Sequence, residues 1–246
     1  MALQFASAVM AHAAYPVPVR SSFMLKVFLT FVLLALISVA ISIGGRMAGR
    51  TIAMAGHTDD LTVHNIVIGK DTLAVPANMI RFDASRRSGV AQRLDLYLNW
   101  PLLEGYSNEA RDDFNHTGDT RNILFLSFEE RIMSRDMSGR LDPIYRALVE
   151  GSGRPGPGGL TVYTFSEKSG YMNEILIVGD GDTDTPFVAR CLSGDASRES
   201  LAACERDIHL GNGLSLSYRM PAELAGSWRD VDAAIREKAE SFIVKR

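Results

Sequence analysis

The sequence predicts an α+β protein: an N-terminal membrane-spanning helix, then a water-soluble domain with a mainly antiparallel sheet and a C-terminal amphipathic helix. Three observations carry this reading. Val27–Gly45 contains nineteen consecutive residues without a charge. After residue 60, short apolar or alternating runs follow one another across short connections, which favours antiparallel pairing. The chain then closes on a run in which Trp228, Val231, Ile235, Ala239 and Phe242 recur at helical spacing.

Charge divides the chain in the same way. Residues 1–55 carry no Asp or Glu and only Arg20, Lys26, Arg46 and Arg50, so 22 basic and 29 acidic residues follow residue 55 and leave that part at −7. An acidic domain without a basic stripe is repelled by phosphate backbones, which argues against a nucleic-acid partner. About 190 residues bury a sizeable core without metals, and no cofactor is called for.

The apolar run, helical at 1.5 Å per residue, reaches about 28 Å, close to a hydrocarbon core. A cleaved signal peptide is the alternative, with Ala53-Met54-Ala55 as its processing site. The apolar run is longer than a usual signal core, however, and Arg46 and Arg50 intervene, so an uncleaved anchor over 24–46 is expected. Residues 1–23, with Pro16 and Pro18, read either as a flexible N-terminal extension or as a stretch from an unused upstream start, Met24-Leu25-Lys26 making a natural beginning. Residues 47–60 read as a juxtamembrane connector and 61–246 as the soluble domain. Small residues Ala40, Gly44 and Ala48, with Gly45 and Gly49, have the spacing that lets two helices approach in lipid, so a homodimer through the anchor is a candidate.

Flanking charges leave orientation nearly tied. The two cysteines add weight to one side: Cys191 and Cys204 lie near two predicted strands, and a disulfide between them would place the domain in an oxidising compartment. Two unpaired buried thiols are the alternative. The expected topology is N-terminus inside, domain in the periplasm.

Leu61–Ile68 and Thr72–Val75 around Gly69-Lys70-Asp71 predict a hairpin. Gln92–Trp100 alternates as a half-buried strand, and Asn122–Phe128 is another. Asp142-Pro143 predicts the start of a short helix ended by Gly151. Residues 151–159, GSGRPGPGG, predict an irregular loop. Strands are expected at Leu160–Phe165, Tyr171–Val178, Pro186–Leu192, Cys204–Leu210 and Leu214–Met220. The final helix is expected from Trp228 to Val244, with Ser227 and Asp230 forming a capping-box-like start.

Chemistry is sparse. Asp180–Asp184 has D-x-D-x-D spacing, but Thr185 and Cys191 stand where a calcium loop needs glycine and a carboxylate, so a polar hairpin tip is the better reading and no metal is expected. The loop at 151–159 lacks a P-loop lysine. His57, with Asp59 and Asp60, sits in a connector and reads as solvated. His64 and His209 fall on strands. His116 beside Asp112 and Asp113 is the least poor catalytic candidate, yet no nucleophile elbow accompanies it. No catalytic, metal or cofactor residue is assigned. Trp100, Tyr106, Tyr163 and Tyr171 are candidates either for partner anchoring or for core packing.

The phrases AGHTDD (55–60), VPANMIRF (75–82), RLDLYLNWP (93–101), RDDFN (111–115), SRDMSGR (134–140), GPGGL (156–160) and FVARC (187–191) resemble a group of single-pass membrane-anchored proteins of Gram-negative bacteria to which no activity is attached. The resemblance covers most of the chain from Met24 onward and implies an inner-membrane location with a periplasmic domain. The functional expectation is a membrane-tethered periplasmic binding or interaction module without catalysis, with envelope proteins as partners. One special case is a protector that occludes an envelope-acting enzyme or toxin. The alternative is a periplasmic hydrolase-like enzyme using His116, Asp112 and Asp113.

Overall fold

The computed structural model describes residues 21–54, 56–117, 121–180 and 185–245. The chain forms two compact units, residues 1–53 and 54–246. The first is a helix, α1 (Ser21–Met54), so the helix takes in part of the stretch read as connector. Its Ser22–Ile43 segment is long and apolar enough to cross a membrane. Apolar side chains stand exposed all round it, Phe28 at 63% and Ile41 at 68% among them; a helix of a soluble core would bury one face.

The second unit is α+β with a mainly antiparallel sheet. A hairpin of β1 (Val63–Ile68) and β2 (Asp71–Pro76) is extended on the β1 side by a two-residue parallel strand, β3 (Gly89–Val90). The large sheet holds β4 (Arg93–Asn99), β5 (Ile123–Glu130), β6 (Val149–Pro155), β7 (Thr161–Phe165), β8 (Glu174–Gly179), β9 (Phe187–Leu192), β10 (Cys204–Leu210) and β11 (Leu214–Met220). Its order is β4-β5-β11-β10-β9-β8-β7-β6: six strands run up and down in sequence, and the β4–β5 pair docks on the last of them. Short helical turns α2 (Arg111–Phe114), α3 (Arg146–Leu148) and α4 (Gly194–Glu199) connect strands, and α5 (Trp228–Phe242) closes the domain.

Period-two alternation decides which face is core. Leu94, Leu96 and Leu98 pair with Phe128, Leu126 and Leu124, and Leu126 and Phe128 in turn face Tyr218 and Leu216. This face is covered by the β1–β2 hairpin (Ile66, Ile68, Leu73, Val75) and by the α5 stripe Trp228, Val231, Ile235, Ala239 and Phe242, all buried. Burying five such side chains contributes on the order of 10 kcal/mol before entropy.

Four local expectations are corrected. The Gly/Pro-rich stretch is not an irregular loop over its whole length: through Pro155 it is β6, paired with β7 and bulged between Glu150 and Arg154. Glycine permits this, because a Cβ on Gly153 would lie 2.6 Å from Thr161 and 2.8 Å from the Tyr163 ring, and a proline-ended strand fits only at a sheet edge. The turn that follows needs Gly158, with φ +60° and the Gly226 carbonyl oxygen only 2.3 Å from where a Cβ would sit. The short helix does not start on an Asp142 cap or run to Gly151. Asp142 lies in a wide turn (Leu141–Tyr145), accepts from Arg146 Nε at 2.9 Å, and the chain turns extended at Val149. Ser227 does not cap α5, because a 3₁₀ turn (Ala222–Ser227) leads straight into the helix and its hydroxyl donates to the Leu224 carbonyl instead. Finally, α5 ends at Phe242; Ile243 and Val244 leave it to bridge Leu73 and bond the Thr72 carbonyl on β2.

Candidate functional site

The opposite face of the large sheet carries the polar half of the alternation. β4 contributes Arg93 and Asp95, β5 Phe125, Ser127 and Glu129, β11 Ser217 and Arg219, β10 Glu205, β9 Arg190 and β8 Glu174. Register places Arg93 opposite Glu129, Arg219 opposite both Phe125 and Glu205, and Glu205 opposite Arg190. The result is an open cleft of about 330 Å³ that Arg81 also lines. A shallower depression of about 100 Å³ continues it past Glu205 and Arg219 towards Glu174 and Arg190.

Ion pairs organise this floor. Arg93 meets Asp95 at 2.8 Å and Glu129 at 2.9 Å, and Arg190 meets Glu174 and Glu205 at 3.2 Å each. Hydrogen bonding to Asp95, more than desolvation opposes it, raises the already high pKa of Arg93. Asp95 also accepts from Ser127 Oγ at 2.8 Å. Half-exposed pairs of this kind contribute about 0–1 kcal/mol each. Their effect is to fix where charges stand on a flat surface.

Two apolar groups cover the rest of this face. At the β6–β9 end, Met137, Leu141 and Tyr145 pack on Phe165, Leu176, Val178 and Val188, with Tyr163 and Tyr171 half-buried against them. Arg140 pairs with Asp207 and holds that segment to β10. At the β4–β5 end, Tyr97, Tyr106, Phe114 and Ile123 form a second group.

His57 belongs to this second group, which corrects its reading as a solvated connector residue. Its ring stacks on Tyr106 at 4.8 Å and meets Tyr97 and Phe114 edge-on at 5.3 and 5.8 Å. Its Nδ1 lies 3.1 Å from the Tyr97 hydroxyl, which donates to it when the ring is neutral with its proton on Nε2. Burial, then the Arg86 guanidinium and His116, push the His57 pKa below that of an ordinary histidine. Burial likewise raises that of Tyr97. Asp60 closes a local turn on Thr62 through bonds of 2.9 and 2.7 Å, which lower its pKa, and Asp59 accepts from Asn108.

His116 is exposed, in a left-handed backbone conformation at φ 54°. Partial desolvation of its ring, then Arg81, lower its pKa. Among the described residues no hydrogen bond or ion pair joins its side chain to Asp112 or Asp113, and Asp113 accepts instead from Asn99 Nδ2 at 2.9 Å. The three residues are adjacent but do not converge. His64 and His209 stand half-buried on β1 and β10. Tyr106 is buried and Trp100, Tyr163 and Tyr171 are half-buried, so these four pack rather than project.

A charged network lies between the sheet and α5. Arg206, 3% exposed, donates to Asp232 at 3.0 Å, to Ser138 Oγ at 3.1 Å and to the Val188 carbonyl at 2.8 Å, with its guanidinium 4.6 Å from the Phe187 ring. Asp232 also accepts from the Tyr218 hydroxyl at 2.6 Å and from Arg236 at 2.9 Å. Burial opposes ionisation of Asp232, but Arg206, Arg236 and Tyr218 outweigh it and hold its pKa below the usual carboxylate value. Burial drives that of Tyr218 well up. A groove of about 470 Å³ beside Trp228 opens onto this network.

Cys191 and Cys204 are register partners on β9 and β10 and are joined by a disulfide. Residues 181–184 of the D-x-D-x-D run lie outside the described residues, as do the surroundings of Gly44, Gly45, Ala48 and Gly49 in α1. Among the described residues, no three His, Cys, Asp or Glu side chains gather as a metal site would need. The cleft escaped the sequence reading. Period-two alternation on β10 and β11 is the signal that could have put Glu205, Ser217 and Arg219 on polar faces, but nothing local indicates that β5 lies beside β11.

No family model matches the sequence, and no curated protein matches it by sequence. In three dimensions, 77% of the chain superposes on 96% of Smlt3025, an immunity protein of the Stenotrophomonas maltophilia type IV secretion system, with a TM-score of 0.52 at 17% identity. The two share a fold. The iron-regulated outer membrane lipoprotein FrpD of Neisseria meningitidis matches over 76% of this chain and 95% of its own, with a TM-score of 0.46 at 9% identity. A score below 0.5 adds no argument to the first.

Proposed function

We propose that the chain is a single-pass inner-membrane protein whose folded domain stands in the periplasm as a non-catalytic module that docks on an envelope protein. The observation that carries this is the open sheet face, where paired charges are fixed on a broad, accessible surface between two apolar walls. Such a surface fits protein recognition, in which ordered charges give register and specificity more than affinity. A reaction centre would need a nucleophile or acid–base pair brought together in a pocket, and His116, Asp112 and Asp113 stand apart.

In this reading residues 24–46 are the anchor, 47–60 the link to the bilayer and 61–246 the docking domain. The exposed apolar surface of α1 supports the anchor, and the Cys191–Cys204 disulfide supports an oxidising compartment. Tethering raises the effective concentration of the domain for partners at the same membrane. The fold shared with an immunity protein favours one form of docking: an inhibitor that covers an envelope-acting toxin or enzyme. The test is cross-linked affinity capture of the tagged full-length protein from native membranes. The reading expects one envelope protein at near-stoichiometric yield; recovery of the chain alone, or only with itself, overturns it.

A further inference from the structure

Four arginines and four carboxylates line the cleft and its continuation, yet they do not pair one to one. Arg93 takes both Asp95 and Glu129, and Arg190 takes both Glu174 and Glu205. Glu205 is the direct cross-strand neighbour of Arg219, and it is drawn the other way. Two guanidinium groups, Arg81 and Arg219, are therefore left without a carboxylate among the described residues. Among the described residues Arg219 donates to the Ala202 carbonyl alone, at a long 3.5 Å. Arg81 lies over the rings of Phe125, at 4.8 Å, and Phe82, at 5.1 Å. Phe125 is itself the cross-strand partner of Arg219, so Arg81 and Arg219 both line the cleft around this position.

Stacking positions a guanidinium without neutralising it, and leaves its N–H edge free for a planar, two-oxygen acceptor. From this we infer that the cleft receives an Asp or Glu side chain of the docked protein, held between Arg81 and Arg219. The inference rests on the docking reading and specifies its anchor. The cleft, open and about 330 Å³ in volume, has room for a carboxylate side chain. Charge sets the partner's character. Residues 56–246 carry −7, which disfavours an acidic protein, whereas a single carboxylate in the cleft is governed mainly by the charges within about 8 Å, those further away being largely screened at physiological salt. The partner surface is therefore neutral or basic, with one acidic anchor.

The probe is the peptide Ac-KGSGEGSGK-NH2, titrated into the full-length protein in detergent while the arginine Nε–Hε resonances are followed by NMR. The Glu→Gln peptide and free glutarate serve as comparators. Saturable shifts at Arg81 and Arg219, at least fivefold weaker with the Gln peptide and absent in the R81Q/R219Q double variant, are expected. Equal response to both peptides overturns the inference, as does glutarate binding as tightly as the Glu peptide, which would make the cleft a site for small free acids. Failure of docking itself reads differently. A partner captured from membranes in undiminished yield by R81Q/R219Q leaves docking standing and removes the carboxylate anchor. A partner lost at least tenfold in that variant, but retained by R87Q, supports both.

Discussion

Replacing Asp232 by Ala takes away the one carboxylate in ion-pair range of Arg206 among the described residues, while Arg206 stays at 3% exposure. Breaking a buried pair by deleting one partner costs about 3–5 kcal/mol. Two of the guanidinium bonds survive, to Ser138 and Val188, and the Asp232 side chain is itself 14% exposed, so the lower end, about 3 kcal/mol, is expected. For a domain of this size that is a fall in Tm of about 6–12 °C. Asp232→Asn keeps an acceptor for Tyr218 and should lose less. The pH dependence follows from the lowered pKa: a carboxylate easier to ionise when folded stabilises fully above its unfolded value of 3.8, and that stability disappears as pH falls through the folded value. Urea unfolding of wild type and D232A at pH 7 and pH 3 measures both effects. A difference below about 1 kcal/mol at pH 7, or one as large at pH 3 as at pH 7, refutes this account of the network.

Reducing the Cys191–Cys204 bond, which spans 13 residues, should lower stability by about 3 kcal/mol, read as a drop in Tm in dithiothreitol that the C191A/C204A variant no longer shows. His57 has a folded pKa below its ordinary 6.5, so the stability it contributes is complete above that pH and declines as pH falls through 6.5 toward the folded value. His57→Phe should flatten that acid limb between pH 7.5 and 5 in urea midpoints, leaving the part due to His116. Gly158→Ala meets both a positive φ and the Gly226 carbonyl. It should cost about 2 kcal/mol or more, visible in thermal melts, because α5 is tied to this turn through Trp228 Nε1 and the Gly158 carbonyl at 3.1 Å.

The elements that could be read were those whose burial is one-sided. Leu94, Leu96 and Leu98 alternate because one face of β4 meets the core, and the α5 stripe repeats because one face of that helix does. Where glycine replaces side-chain pattern the signal vanishes, so β6 carried none: its pairing depends on the neighbouring strand and on having no Cβ at Gly153. His57 looked solvated because its neighbours come from Tyr97, Tyr106 and Phe114, 40 or more residues away in sequence. The candidate site has the same character. Asp95, Glu205 and Arg219 each sat on a legible polar face, but their convergence depends on β5 docking beside β11, a contact between distant segments that no local pattern specifies.

The central claim is that the open sheet face meets another protein in the cell. A photo-cross-linking amino acid placed at Ser217, on the cleft floor, tests it most directly, with the same group at exposed Glu237 on α5 as the comparison. Irradiation of living cells should give one discrete, high-mass adduct from position 217 and none from 237. Equal adducts from both positions, or none from 217, would contradict the account.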